Sequence, residues 1–239
     1  DLVTTLQRSR AVTDNLSAKP QASSQASSQE HETALIQSEI LAIAAELSPS
    51  LVEAIEQNGP LELISEQKAL QKTSQKTPFP ERLCRAVTGQ QLSIRAADTI
   101  WGRVVAGAGQ ERLIDYFARV APAALRACGL SGAKAKTIEE IATAALQGQL
   151  DSTELGTLSH AERTKRLTAL WGVGQWTADM MGIFYFGDPD IWPDGDVTAR
   201  KTLEKLPSKR RKAVRTAARF APYRSYLALH MWRYVDATP

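Results

Sequence analysis

The chain has 239 residues, of which 43% are hydrophobic and 23% charged, enough apolar material for one large or two small packed domains and too much for wholesale disorder. No run approaches the roughly 20 apolar residues of a bilayer-spanning helix, and no charged-apolar-small leader opens the sequence, so a soluble, intracellular protein that engages no membrane is expected. Its net charge of +3 conceals an asymmetry: residues 1–78 hold 6 Lys/Arg and 10 Asp/Glu, whereas residues 79–239 hold 23 and 16.

Cysteine and histidine usage narrows the chemistry further. Two cysteines, Cys84 and Cys128, exclude a disulfide framework, a four-cysteine zinc site and an iron–sulfur cluster held by four thiolates. Both are expected to be small apolar core residues. The histidines at 31, 160 and 230 show no H-x-x-x-H spacing, and no protein-ligated transition metal is expected.

In chain order, residues 1–32 read as a disordered arm, because Ser17–Glu30 is rich in Ser and Gln and poor in apolar side chains. A helix is predicted over Glu32–Leu47, where Ala34, Leu35, Ile36, Ile40, Leu41, Ile43, Ala44 and Leu47 recur at helical spacing, and Ser48-Pro49 ends it. Leu51–Gln57 forms the next helix and stops at Asn58-Gly59-Pro60. Pro80–Val105 carries two helices joined near Ser93, and Pro122–Cys128 ends at Gly129. Further helices are predicted over Ala133–Leu146, His160–Leu170, Gln175–Phe186, Val197–Lys205, Ser208–Phe220 and Arg224–Tyr234. Alternating β-branched runs are missing, so the class is all-α, with about ten helices and no internal repeat.

Three stretches carry chemistry. Leu170-Trp171-Gly172-Val173-Gly174-Gln175-Trp176-Thr177-Ala178 places two glycines around one apolar residue between two helical patterns. Such a turn is tight, lets another backbone approach without a β-carbon in the way, and points helix N-terminal N–H groups outward. That is a ready phosphate site, although an ordinary interhelical turn has the same pattern. Ile191-Trp192-Pro193-Asp194-Gly195-Asp196-Val197 sets two carboxylates at the mouth of a helix, a pattern that a simple turn capped by Asp196 also satisfies. Finally, ten basic residues and one acid, Glu204, lie between Arg200 and Arg224, matching either a polyanion such as DNA or a solvated helix face.

Together these segments resemble the helix-hairpin-helix DNA glycosylase superfamily, and within it the 3-methyladenine DNA glycosylase II family. L-x-G-V-G-x-x-T-A resembles its hairpin, and Pro193–Arg200 resembles its P-x-G-D-h-x-h-[KR] segment. Tyr223–Trp232 resembles its W-R-S-Y-x-x-x-H-h-W signature with Tyr in place of the first Trp, and Gly89–Ala97 resembles its G-Q-x-h-S-x-x-A-A segment. The resemblance spans about Pro80 to Tyr234, with the motifs in the family's order.

It implies two helical lobes with a cleft between them, residues 33–80 with 190–236 forming one lobe and 81–189 the other. Asp196, not Asp194, becomes the essential carboxylate, stabilising the positive charge that builds on the sugar as an N-glycosidic bond breaks. The phosphate-binding segment becomes Gly172, Val173, Gly174, Trp176 and Thr177, with the N–H groups of Gly172, Gly174 and Trp176 as donors. No cofactor is expected, and by the resemblance the carbonyls of Thr168, Leu170 and Val173 could bind a monovalent cation, Na⁺ or K⁺. Trp176 and Trp232 become the pocket that stacks on a cationic alkylated base, while Tyr185 and Trp192 are assigned to the core. Gln91 and Leu92 become the wedge that fills the space a flipped base vacates.

Family members that also cut the strand carry a lysine where this chain has Trp176, so a monofunctional enzyme is implied, acting as a monomer on double-stranded DNA with alkylated bases. A bacterial cytoplasm or a nucleus is the implied compartment. The competing readings are a non-catalytic hairpin module that grips damaged DNA and a bifunctional lyase or iron–sulfur endonuclease.

Overall fold

The computed structural model describes residues 22–63, 77–207 and 212–237, the side chains of 22–29 and of Ile94 excepted. Thirteen α-helices and no strand occur among the described residues: α1 Ala22–Ala45, α2 Pro49–Glu56, α3 Phe79–Gly89, α4 Ile94–Ala108, α5 Leu113–Arg119, α6 Pro122–Ala127, α7 Gly132–Leu146, α8 Ser152–Thr157, α9 His160–Thr168, α10 Gln175–Met180, α11 Val197–Lys205, α12 Ala213–Ala217 and α13 Arg224–Ala237. None of them is long and apolar enough to cross a membrane.

The chain divides into two compact units. Residues 22–63 with 188–207 and 212–237 make the first, and residues 77–187 the second. The boundary expected after residue 80 is therefore misplaced, and residues 77–80 belong to the second unit. The cause is Phe79, fully buried, whose ring meets Tyr185 and Phe186 at centroid distances of 4.9 and 5.2 Å. Residues 188 and 189 move the other way, into the first unit.

In the first unit α1 packs on α2, and α11 packs on α12 and α13. The core is Ile40, Leu51, Ile55, Leu203, Phe220 and Leu227. Among the described side chains of α1, Ile36, Gln37, Ile40 and Ala44 are buried, a narrower face than the sequence pattern outlines, and Leu35 is left 54% exposed. Helix α1 also starts ahead of Glu32, so residues 22–31 are helical rather than part of an arm, and the rest of that arm lies outside the described residues. Ala and Gln propagate a helix at little cost once a packed face downstream has formed its nucleus. Ser48 accepts from the Leu51 N–H to cap α2 and donates to the Leu206 carbonyl at 2.7 Å, tying α2 to the end of α11.

In the second unit α3 packs on α4 and α7, α5 and α6 pack on α7, and α9 packs on α10. The core is Leu83, Val87, Phe117, Ile138, Ile141 and Leu167. Cys84 is fully buried here, and burial pushes its thiol well above the usual range, while Cys128 is half-buried. Two helices escaped the sequence pattern, α5 and α8, of 7 and 6 residues. Fewer than two turns show no periodicity, although Asp151, accepting from the Thr153 and Glu154 N–H groups, is a readable start signal for α8.

The helix predicted over Gln175–Phe186 has that extent but changes character. α10 passes into a π-helical stretch, Met181–Phe186, wholly buried and stopped by Gly187 at φ +74°. The helix predicted from Ser208 starts at Ala213, where Lys212 before it is extended at ψ 134°, and residues 208–211 lie outside the described residues.

Candidate functional site

The chain enters α11 through a tight turn. Asp196 donates its N–H to the Pro193 carbonyl at 2.8 Å, and its side chain then caps the helix, Oδ1 accepting from the Ala199 N–H at 2.8 Å. The Trp232 indole, on α13, donates Nε1–H to the same oxygen at 3.0 Å. Two donors on one oxygen fix the orientation of a half-buried carboxylate. The geometry is that of the turn capped by Asp196. Trp232, expected as a stacking face, is 6% exposed and grips the aspartate by its N–H. Asp194 is exposed and takes the Trp192 indole N–H at 3.3 Å. Trp192 and Tyr185 are buried, as expected of core residues.

A second layer holds the approach to this turn. Arg224 chelates Asp190, Nε to Oδ1 at 2.6 Å and Nη2 to Oδ2 at 2.9 Å, and that guanidinium holds the Asp190 carboxyl below its ordinary range. The buried hydroxyl of Ser225 donates to the Asp188 carbonyl at 2.6 Å and accepts from the Ile191 N–H at 2.9 Å, while the Ser225 N–H donates to Pro189. The Arg-Ser pair of the signature is therefore a clamp on residues 188–191. His230, fully buried, has its pKa lowered to about 4 by burial, and Asn58 Nδ2 donates to its backbone carbonyl at 3.1 Å.

The hairpin lies in the second unit. Leu170 accepts from the Val173 N–H at 3.1 Å, and Gly172 turns the chain at φ +79°. A β-carbon on Gly172 would stand 2.0 Å from Thr137 Oγ1, so α7 packs where only glycine fits. Gly174 begins α10 and has open space where its β-carbon would be. The first N–H bonded back within α10 is that of Ala178, to the Gly174 carbonyl at 3.1 Å. The expectation that Val173 helps to bind phosphate is corrected in part: its N–H closes the turn and its side chain is buried, so it builds the hairpin. Gly172 and Gly174 are exposed, Trp176 is half-buried and Thr177 is buried.

The wedge candidates share this unit. Between α3 and α4 the chain turns at Gln91, exposed and at φ +55°, with Leu92 half-buried and Ser93 capping α4. The Gln90 side chain donates to Thr177 Oγ1 at 3.0 Å, joining this turn to the first turn of α10. Lys134, unsignalled in the sequence, donates to the carbonyls of Thr88 and Gln90.

Among the described residues of the basic run, some are paired with acids and others are exposed. Arg219 pairs with Glu46 and Arg224 with Asp190, whereas Lys201, Lys212 and Arg215 are exposed. Residues 208–211 of the run lie outside the described residues.

No family model matches the chain. It is 30% identical over 182 residues to DNA-3-methyladenine glycosylase 1 of Schizosaccharomyces pombe, a match covering 72% of this chain and 79% of that protein. Identity to DNA-3-methyladenine glycosylase 2 of Escherichia coli is 32% over 164 residues, covering 64% of this chain and 56% of that protein. The fold is similar to that of a 3-methyladenine DNA glycosylase of S. pombe solved with abasic DNA, with a TM-score of 0.68 at 25% identity, covering 84% of this chain and 98% of that one. With that likeness, and with the hairpin and the capped aspartate in the family's order, the chain belongs to the 3-methyladenine DNA glycosylase family of helix-hairpin-helix proteins.

Proposed function

We propose that this protein is a monofunctional DNA glycosylase that flips alkylated bases, 3-methyladenine and 7-methylguanine first, out of double-stranded DNA and hydrolyses their N-glycosidic bonds. The observation that carries the reading is the Asp196 carboxylate, oriented by the Ala199 and Trp232 N–H groups at the mouth of α11. Alkylation makes the base a cationic leaving group. As the C1′–N bond breaks, the electron pair leaves with the base, and Asp196 stabilises the positive charge left on the sugar. Water then adds its oxygen to C1′ and loses a proton, leaving an abasic site in an intact strand.

Trp176 occupies the position at which strand-cutting relatives hold an amine nucleophile, which supports hydrolysis without lyase chemistry. Its indole is the stacking face offered to a cationic base. Backbone N–H groups at Gly172, Gly174 and Trp176 are the phosphate donors, and Gln91 with Leu92 fills the vacated stack. The donor set for a monovalent cation fits: Thr168 and Leu170 lie where α9 ends, with carbonyls at the negative end of its dipole, and Val173 is in the turn beyond. Such an ion would add positive charge beside the phosphate.

The test uses duplex DNA with one 7-methylguanine, the wild type and Asp196→Asn, assayed for free base and for strand breaks before and after hot alkali. Base release with alkali-dependent breakage, lost in the variant while DNA binding persists, is the expected result. Equal release by the variant would remove Asp196 from the mechanism. Breakage without alkali would mean lyase activity, and binding without any release would leave a non-catalytic hairpin module.

A further inference from the structure

Helix α3 ends at Gly89, and the chain must change direction before Ser93 caps α4. It does so through Gln91 at φ +55°, a left-handed conformation that a residue with a β-carbon holds only when its surroundings impose it. Two bonds restrain the turn through the backbone, Gln90 N–H to Val87 and Leu92 N–H to Gly89, both at 3.2 Å. A third restraint comes from the neighbouring helix. Lys134, in the first turn of α7, donates from Nζ to the Thr88 carbonyl at 2.9 Å and to the Gln90 carbonyl at 2.6 Å.

These carbonyls lie where α3 runs out of N–H partners and its dipole is negative, so a cation is well placed there. The two acceptors flank Gly89, so the ammonium spans the point at which the backbone leaves the helix and hands over to Gln91. On the far side, the Gln90 amide is anchored to Thr177 Oγ1 of α10. Lys134 is half-buried, and burial pulls its pKa below the ordinary lysine range. Its neighbour Lys136 behaves differently, exposed with Nζ 4.4 Å from the Trp171 ring centroid. One lysine of α7 faces solvent, then, and the other is committed to the turn.

We infer that Lys134 is a positioning residue for base flipping, its ammonium bridging the Thr88 and Gln90 carbonyls so that residues 89–93 present Gln91 and Leu92 in the one conformation that enters DNA. The inference rests on the glycosylase reading and on the wedge assignment. It predicts an effect confined to the flipping step, and flipping costs least when the lesion is already unpaired.

Lys134→Met is therefore assayed in single turnover, at saturating enzyme, on 7-methylguanine paired with cytosine in a duplex and on the same lesion in a one-nucleotide bulge. Excision from the paired site is expected to slow by about tenfold and from the bulge by less than about threefold. Lys134→Arg, which can donate to both carbonyls, is expected to recover most of the paired rate. Equal slowing in both contexts, or no slowing in either, would overturn the inference while leaving the glycosylase reading intact. No excision by the wild type from either substrate would overturn both. If Lys134→Met does not fold by circular dichroism, Lys134→Gln, which keeps a donor, is scored by the same ratio.

Discussion

On the proposed mechanism the carboxylate that caps α11, Asp196, is also the one that faces the sugar. Capping α11 holds it in a single rotamer, and the Trp232 N–H adds a second restraint on the same oxygen. Trp232→Phe keeps the ring and deletes that donor, so kcat for 7-methylguanine release should fall about tenfold with KM little changed. In an Asp196→Asn background the same substitution should have almost no further effect, whereas a stacking role for Trp232 would make the two losses add.

The hairpin glycines separate folding from binding in the same way. Gly172→Ala forces a β-carbon into Thr137 at a left-handed φ, and should destabilise the protein by about 2–4 kcal/mol in denaturant unfolding. Gly174→Ala meets nothing within 4 Å and has ordinary φ, so stability should change by less than about 1 kcal/mol. If the hairpin binds phosphate as proposed, its methyl group would stand where the DNA backbone approaches, and affinity for duplex DNA should drop in a binding titration.

At the scale of elements, what positions the turn into α11 is the start of α13. Ser225 and Arg224 together fasten residues 188–191, and the buried Ile191 N–H has the Ser225 hydroxyl as acceptor. Ser225→Ala leaves that N–H without its acceptor, a cost of about 1–3 kcal/mol that equilibrium unfolding should report. The motif containing Arg224 and Ser225 was legible in the sequence, but their clamp was not, because it joins segments 34 residues apart. Helix boundaries follow the same division. Ser93, Ser159 with Glu162, and Asp196 are local start signals and mark true helix starts. The π-helical character of Met181–Phe186 has no local signal, since these wholly buried residues could equally continue an α-helix.

For the molecule as a whole, acid should act in two steps. His230 is buried in its neutral form with a pKa lowered to about 4, whereas in the unfolded chain it protonates near 6.5. A depressed histidine contributes stability that is complete above the unfolded value and is lost as pH falls from about 6.5 towards 4, here by about 3 kcal/mol. Asp190 follows: its carboxyl is held low by Arg224, so its contribution is present above the ordinary carboxylate range and disappears as pH falls through the lower folded value. Unfolding free energies measured across this range should slope downward below pH 6.5, and His230→Leu should lack the first part of that slope.

Composition and local patterning were enough to determine the all-α class, most helix positions and Asp196 as a candidate helix cap, because each depends on short-range physics: helical periodicity and a side chain capping its own helix; the hairpin, the wedge and a catalytic Asp196 were read from the family resemblance. Leu35 of the predicted α1 face is exposed because periodicity marks which residues share a side, while the packing partners decide how much of that side is covered. Phe79 crosses the expected boundary for the same reason, since its partners Tyr185 and Phe186 lie over a hundred residues away in sequence. Only the tertiary structure made Trp232 a donor to Asp196, Ser225 and Arg224 a clamp on residues 188–191, and Lys134 a donor to the Thr88 and Gln90 carbonyls. Each of these is a bond between groups that approach only after separate helices have packed, and nothing in the sequence near either partner records it.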